Sequence, residues 1–175
     1  MKEFLEHTTY IFETGAFKEE SIIRDEDGND LGRAVGALIF GAEVNLYDSR
    51  GKVWGTVKAK GTSTRIYFTF HDHNGILIAK TKHKILHYVI NRNSLWVANP
   101  EGKKIYDVDS NWSGEKYKIK DKSGSIVAQI KQEITGLTSS DYILKIKNMN
   151  PLIALLIVPA IRMFLEHTWD NRYFP

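Results

Sequence analysis

Five turns of one kind divide this chain, and their spacing restricts its possible folds more than any other feature. An acidic or amide residue stands three positions before a glycine at Asp25/Gly28, Asp48/Gly51, Asp72/Gly75, Asn99/Gly102 and Asp121/Gly124, and the glycines recur at intervals of 23, 24, 27 and 22 residues. Asp or Asn opening a turn accepts bonds from the backbone just ahead, and glycine tolerates the positive φ that closes many such turns. The flanking segments (Ala42 to Tyr47, Arg65 to Phe70, Lys116 to Lys120, Ile126 to Ile130) are rich in Val, Ile, Tyr, Phe and Thr, as hairpin strands require. Each interval accommodates about two strands with their connections. A further strand is expected from Asp141 to Ile146 and another around Tyr10 to Phe12. The total, about twelve, is too many for one flat sheet and points to a sandwich or a closed barrel. A barrel also removes exposed strand edges.

After the last strand, Asn150-Pro151 has the form of a helix N-cap followed by proline at the first helical position. The helix expected from Pro151 to Glu166 is apolar on every face for nearly three turns, as in helices that are buried all round or lie in membrane. The uncharged run from Pro151 to Ile161 is interrupted by Pro159 and ended by Arg162, well short of the roughly 18–20 residues that span a bilayer. Burial in protein is therefore expected, with no transmembrane segment. Pro159 should bend the helix or deprive the Leu155 carbonyl of its partner. About eight strands already fill a barrel from its walls, so a barrel of about twelve needs a filler. The two requirements meet in one architecture: a single domain, residues 1–175, forming a closed antiparallel barrel of about twelve strands around a central buried C-terminal hydrophobic helix.

Composition narrows the chemistry. The sequence contains no cysteine, which removes disulfides, thiolate metal sites and cysteine nucleophiles and fits a reducing compartment. The start of the chain lacks the basic-then-apolar pattern of a secretory signal. The expected location is cytoplasmic, with peripheral contact at the membrane. Net charge is +3, but residues 1–30 carry nine acids against three bases. The remainder is strongly basic, a distribution suited to anionic partners.

The ordered turns and the terminal helix, carried by Ile23-Arg24-Asp25-Glu26-Asp27-Gly28-Asn29, Leu46-Tyr47-Asp48-Ser49-Arg50-Gly51-Lys52-Val53, and Asp141-Tyr142-Ile143-Leu144 leading into Pro151 to Glu166, resemble the tubby C-terminal-like superfamily, in particular its LURP-one-related branch. The resemblance spans residues 8 to 168 and extends to the phospholipid scramblases. It implies a twelve-stranded barrel around a hydrophobic helix, the architecture reached above from packing. It also implies contact with phosphoinositides or membranes. The absence of a cysteine-rich palmitoylation segment and of an Asp-x-Asp-x-Asp-Gly calcium loop argues against scramblase activity.

Alternating lysines mark several strands, notably Lys80/Lys82/Lys84 and Lys116/Lys118/Lys120. Spacing by two puts each set on one strand face, turned outward while Tyr117 and Ile119 turn in. Such faces keep a barrel soluble, and summed over strands they become a surface for anionic lipid headgroups or a protein partner. An alternative is a metal-dependent barrel enzyme using His71, His83 and His87; His73 falls within a turn and should face solvent. Tyr67, Phe68, Phe70, Trp96 and Tyr117 alternate with basic residues as in nucleic-acid platforms. Aromatics at strand spacing are more often core, and the modest net charge argues against nucleic acid. No nucleophile elbow or phosphate loop is present. Asp107 and Asp109 read as the outward side of a strand. The expectation is a non-enzymatic binding module without a cofactor.

Overall fold

A computed structural model describes residues 3–14, 19–36, 43–62, 65–83, 95–111, 113–136 and 139–173. A short 3-10 helix (Glu3–Leu5) precedes strands β1 (Thr9–Thr14), β2 (Glu20–Arg24), β3 (Asp30–Val35), β4 (Glu43–Asp48), β5 (Val53–Thr62), β6 (Arg65–Asp72) and β7 (Leu77–His83). Strands β8 (Leu95–Ala98), β9 (Lys104–Ser110), β10 (Lys116–Lys120), β11 (Ile126–Ile134) and β12 (Ser140–Ile146) follow, and helix α1 (Pro151–Tyr173) comes last. Each strand pairs antiparallel with the next, and β1 closes the barrel against β12 with Thr9 opposite Lys145 and Phe12 opposite Tyr142.

The five repeated turns make the five even-to-odd hairpins, so all lie at one end of the barrel. In each, the glycine N–H donates to the carbonyl of the Asp or Asn three residues earlier, at 2.9–3.2 Å. The side-chain oxygen of that residue accepts from the amides ahead: Asp72 Oδ1 takes both Asn74 N–H and Ile76 N–H at 2.9 Å. The same hairpins share a feature that the turn spacing alone does not reveal. One residue past each turn is skipped in the pairing register: Leu31, Trp54, Ile78, Ile105 and Val127. This is a bulge within the ladder, three residues past the turn glycine and separate from the turn itself. All five skipped residues are apolar and either belong to the core or pack against it. The bulges thus place apolar side chains around that rim.

Helix α1 begins at the same end. Asn150 caps it, its Oδ1 accepting Ile153 N–H at 3.1 Å and its carbonyl accepting Ala154 N–H at 3.1 Å. Residues 153–164 are buried without interruption, among Phe12, Leu46, Phe68, Ile119 and Leu144 of the wall. The helix continues through Pro159 and reaches Tyr173, beyond the expected end at Glu166. Arg162 is not the point where the helix leaves the core. It is 8% exposed, donates to Ser21 Oγ and lies over the Tyr142 ring, 5.9 Å from its centroid. Gly55 shows how closely plug and wall fit: a Cβ there would stand 3.0 Å from Leu152 Cδ1 and 3.3 Å from Leu156 Cδ1.

Candidate functional site

Because α1 fills the interior, polar chemistry is distributed over the outer wall and the rims. Alternation decides what faces outward. Tyr117 and Ile119 are buried, whereas Lys116 and Lys118 are exposed. Across the pairing registers, Lys116 lies opposite Lys131, and Lys118 lies in one row with Gln129 and Lys145. Three adjacent strands, β10, β11 and β12, therefore present Lys116, Lys118, Lys131 and Lys145 side by side. Lys131 pairs with Glu133 at 2.6 Å. Lys116, Lys118 and Lys145 have no ion-pair partner among the described residues. Lys116 and Lys131 are like charges directly opposed, a destabilising arrangement on a sheet, whereas Lys118 stands opposite Asp109 on β9.

The remaining lysines singled out by spacing have other surroundings. Lys120 reaches Asp109 at 3.3 Å. Lys80 Nζ donates to the Pro100 carbonyl at 2.7 Å, and Lys82 Nζ lies 5.2 Å from the Trp96 ring centroid. Lys84 is outside the described residues. The β7 and β10 lysines do not adjoin, because β8 and β9 intervene. Asp107 and Asp109 on β9 carry acid between them, with Asp107 bonded to Lys104 at 2.6 Å.

The acidic N-terminal region forms the neighbouring face. Arg24 bridges Glu13 at 2.6 Å and Asp30 at 2.7 Å, and Arg33 meets Glu20 at 3.4 Å. Where this face meets the basic one, burial, and then the charges of Glu13 and Glu133, raise the Asp141 carboxyl above its ordinary range.

Among the described residues the histidines do not converge. His71 pairs with Leu77 at the start of β7, and His83 stands six residues further along that strand, roughly 20 Å away at ~3.3 Å per residue. Both His71 ring nitrogens are engaged locally: Nδ1–H donates to the Gly75 carbonyl at 3.1 Å, and Nε2 is 3.1 Å from Thr69 Oγ1. His73 is exposed in its turn, and His87 lies outside the described residues. No group of three potential metal ligands occurs among the described residues. A shared His71/His83 metal centre is incompatible with the strand register. Of the aromatics, Phe68, Phe70 and Tyr117 are core, and Tyr67 is 42% exposed.

One concave feature escaped the sequence reading. At the turn end, the 3-10 helix, the β4–β5 and β6–β7 turns and the first turn of α1 enclose a cleft of about 670 Å³. Leu5, Val53, Trp54 and Leu152 provide its apolar lining, and Arg50, Lys52 and His73 its basic edge. Phe4 anchors the N-terminal wall, its ring 5.1 Å from that of Trp54 and its carbonyl accepting Tyr10 O–H at 2.8 Å. Burial raises the Tyr10 hydroxyl to about 12, so it stays protonated as a donor. Burial also pushes Asp48 upward. The amides of Lys52 and Arg50, the nearby Trp54 indole N–H and the Arg50 charge outweigh it and hold the carboxyl below its ordinary range. Only Arg50 and Lys52, flanking the turn glycine, hint at this cleft in the sequence; the other walls come from distant segments.

The profile of the LURP-one-related family matches residues 8–161. Comparison with curated proteins gives no match. Among solved structures, the chain is similar to a protein of Arabidopsis thaliana known from its X-ray structure, at 16% identity and a TM-score of 0.61, covering 92% of this chain and 94% of that one. At that identity the likeness speaks for the fold.

Proposed function

This chain belongs to the LURP-one-related family, within the tubby-like superfamily, and from that premise we propose that it is a non-enzymatic binding module whose basic wall on β10–β12 contacts anionic phospholipid headgroups. The supporting observation is the clustering of Lys116, Lys118 and Lys145, none with a carboxylate partner among the described residues, beside Lys131. Several lysines converging on one face suit a surface bearing many anions better than a single small ligand. Location is then cytoplasmic, peripheral at the membrane.

Co-sedimentation with phosphatidylcholine vesicles, with and without phosphatidylserine or a phosphoinositide, tests this. Retention should require the anionic lipid and should fall with salt. At about 1 kcal/mol per surface lysine, Lys116→Gln/Lys118→Gln/Lys145→Gln should weaken it on the order of a hundredfold. Absence of retention at low salt, or undiminished retention of the triple variant, refutes the reading. A protein partner is favoured by a different observation: Lys82 lies over the Trp96 ring, and Tyr67 on the adjacent strand β6 is 42% exposed. Aromatic with cationic side chains typify protein interfaces.

A further inference from the structure

The rim cleft lies on another part of the molecule from the β10–β12 lysines, and its chemistry is different. Its volume, about 670 Å³, falls within the roughly 300–1,000 Å³ of small-molecule sites. Apolar side chains from three separate segments line it: Leu5 from the N-terminal 3-10 helix, Val53 and Trp54 from β5, and Leu152 from α1. Trp54 is 9% exposed, and its Nε1–H lies near the Asp48 carboxyl but beyond hydrogen-bond distance. An apolar recess with polar groups at its edge is the usual form of a pocket for an amphipathic molecule.

The edge selects the sign of the ligand's charge. Asp48 is an acid in name, but its Oδ1 already accepts Arg50 N–H and Lys52 N–H, each at 2.9 Å, in the same capping role as Asp72 and Asp121 in their turns. Those amides are neutral, so Asp48 keeps its charge, which the Arg50 charge in the same turn helps to hold. The Arg50 and Lys52 side chains have no ion-pair partner among the described residues. With His73 they face one further acid across the cleft, the exposed Glu6. An Arg–Lys pair held by one rigid turn offers a planar donor fork beside a point charge, a combination suited to a carboxylate or phosphate.

We propose that this cleft binds a free amphipathic anion, its apolar body resting on Leu5, Val53, Trp54 and Leu152 and its head on Arg50 and Lys52. This does not rest on the lipid-surface reading: the lysines named there are on β10 and β12, and the cleft is formed by the β4–β5 and β6–β7 turns with α1.

The test is calorimetric titration of the full chain with decanoate below its micellar range, alongside the uncharged decyl maltoside and inorganic phosphate. Decanoate should bind saturably at one site, and neither control should match it. Arg50→Gln/Lys52→Gln, at exposed turn positions, should weaken decanoate at least tenfold, whereas Lys116→Gln/Lys118→Gln/Lys145→Gln should leave it unchanged. Absence of saturable binding, equal affinity for decyl maltoside, or an unaffected Arg50→Gln/Lys52→Gln variant overturns the proposal. If the cleft variant lost vesicle retention while the wild type bound no decanoate, the cleft would belong to bilayer lipid and the free-ligand assignment would fail.

Discussion

Leu156 tests the claim that the helix is a structural plug. It is 0% exposed, and its Cδ1 lies against the wall at Gly55. Leu156→Ala removes three carbons, about 2.4 kcal/mol at ~0.8 kcal/mol per buried methylene. The void adds a further term. The wall is a ring of antiparallel pairs closed by β1 against β12, so it has no free edge along which to contract. For a void on the order of 50–80 Å³, ~24 cal/mol per Å³ adds about 1–2 kcal/mol. The expected loss is about 4 kcal/mol. With a urea slope of about 2 kcal/mol/M, the unfolding midpoint should fall by about 2 M. Ile134→Ala, at a residue 75% exposed, is the control and should stay within about 0.5 kcal/mol. Equilibrium urea unfolding followed by far-UV circular dichroism supplies both midpoints. A Leu156→Ala shift no larger than that of Ile134→Ala would refute the enclosed-plug argument.

Three other outcomes follow from local geometry. A Cβ at Gly32 would stand 2.0 Å from the Tyr47 carbonyl oxygen, so Gly32→Ala should force the β3–β4 pair apart and lower the melting temperature far more than Ile134→Ala. Asn150→Ala removes the helix cap and should cost about 1 kcal/mol in urea unfolding; unchanged stability would mean that the cap is dispensable. The turn carboxyls lie below their ordinary range, Asp25 and Asp121 chiefly through the Asn29 side chain and the Ser123 hydroxyl, Asp48 and Asp72 through turn amides that outweigh burial. A depressed folded pKa stabilises fully above the unfolded value of about 3.9, and the contribution is lost as pH falls through the folded pKa. Acid unfolding below about pH 4 should therefore soften in Asp121→Asn, which keeps its acceptor oxygen, and sharpen in Asn99→Asp. Identical acid profiles for all three proteins would remove the turns as its cause.

The hairpin count, the helix and their mutual need were legible in the sequence because each is a local or additive property. An Asp-x-x-Gly turn carries its own hydrogen bonds, strand alternation has a period of two, and a helix apolar on all faces must be enclosed whatever encloses it. The wall strands named from alternation, Lys116 to Lys120 among them, lie where expected, and Asn150 caps the helix as its position before Pro151 implies. Register and closure were not legible, because they depend on which distant residues meet. The skipped residues Leu31, Trp54, Ile78, Ile105 and Val127 are ordinary apolar residues until the pairing shows them unpaired at one rim. The histidines are near in sequence, yet an extended strand carries His83 roughly 20 Å from the level of His71 at ~3.3 Å per residue. Lys131 joined Lys116, and Leu5 joined Trp54 and Leu152, only through tertiary pairing and packing. The elements and the helix's need for enclosure follow from short-range bonding and side-chain polarity, which the residue order carries locally. Tertiary structure alone decided which charges became neighbours and where a cleft opened, since both arise from segments far apart along the chain.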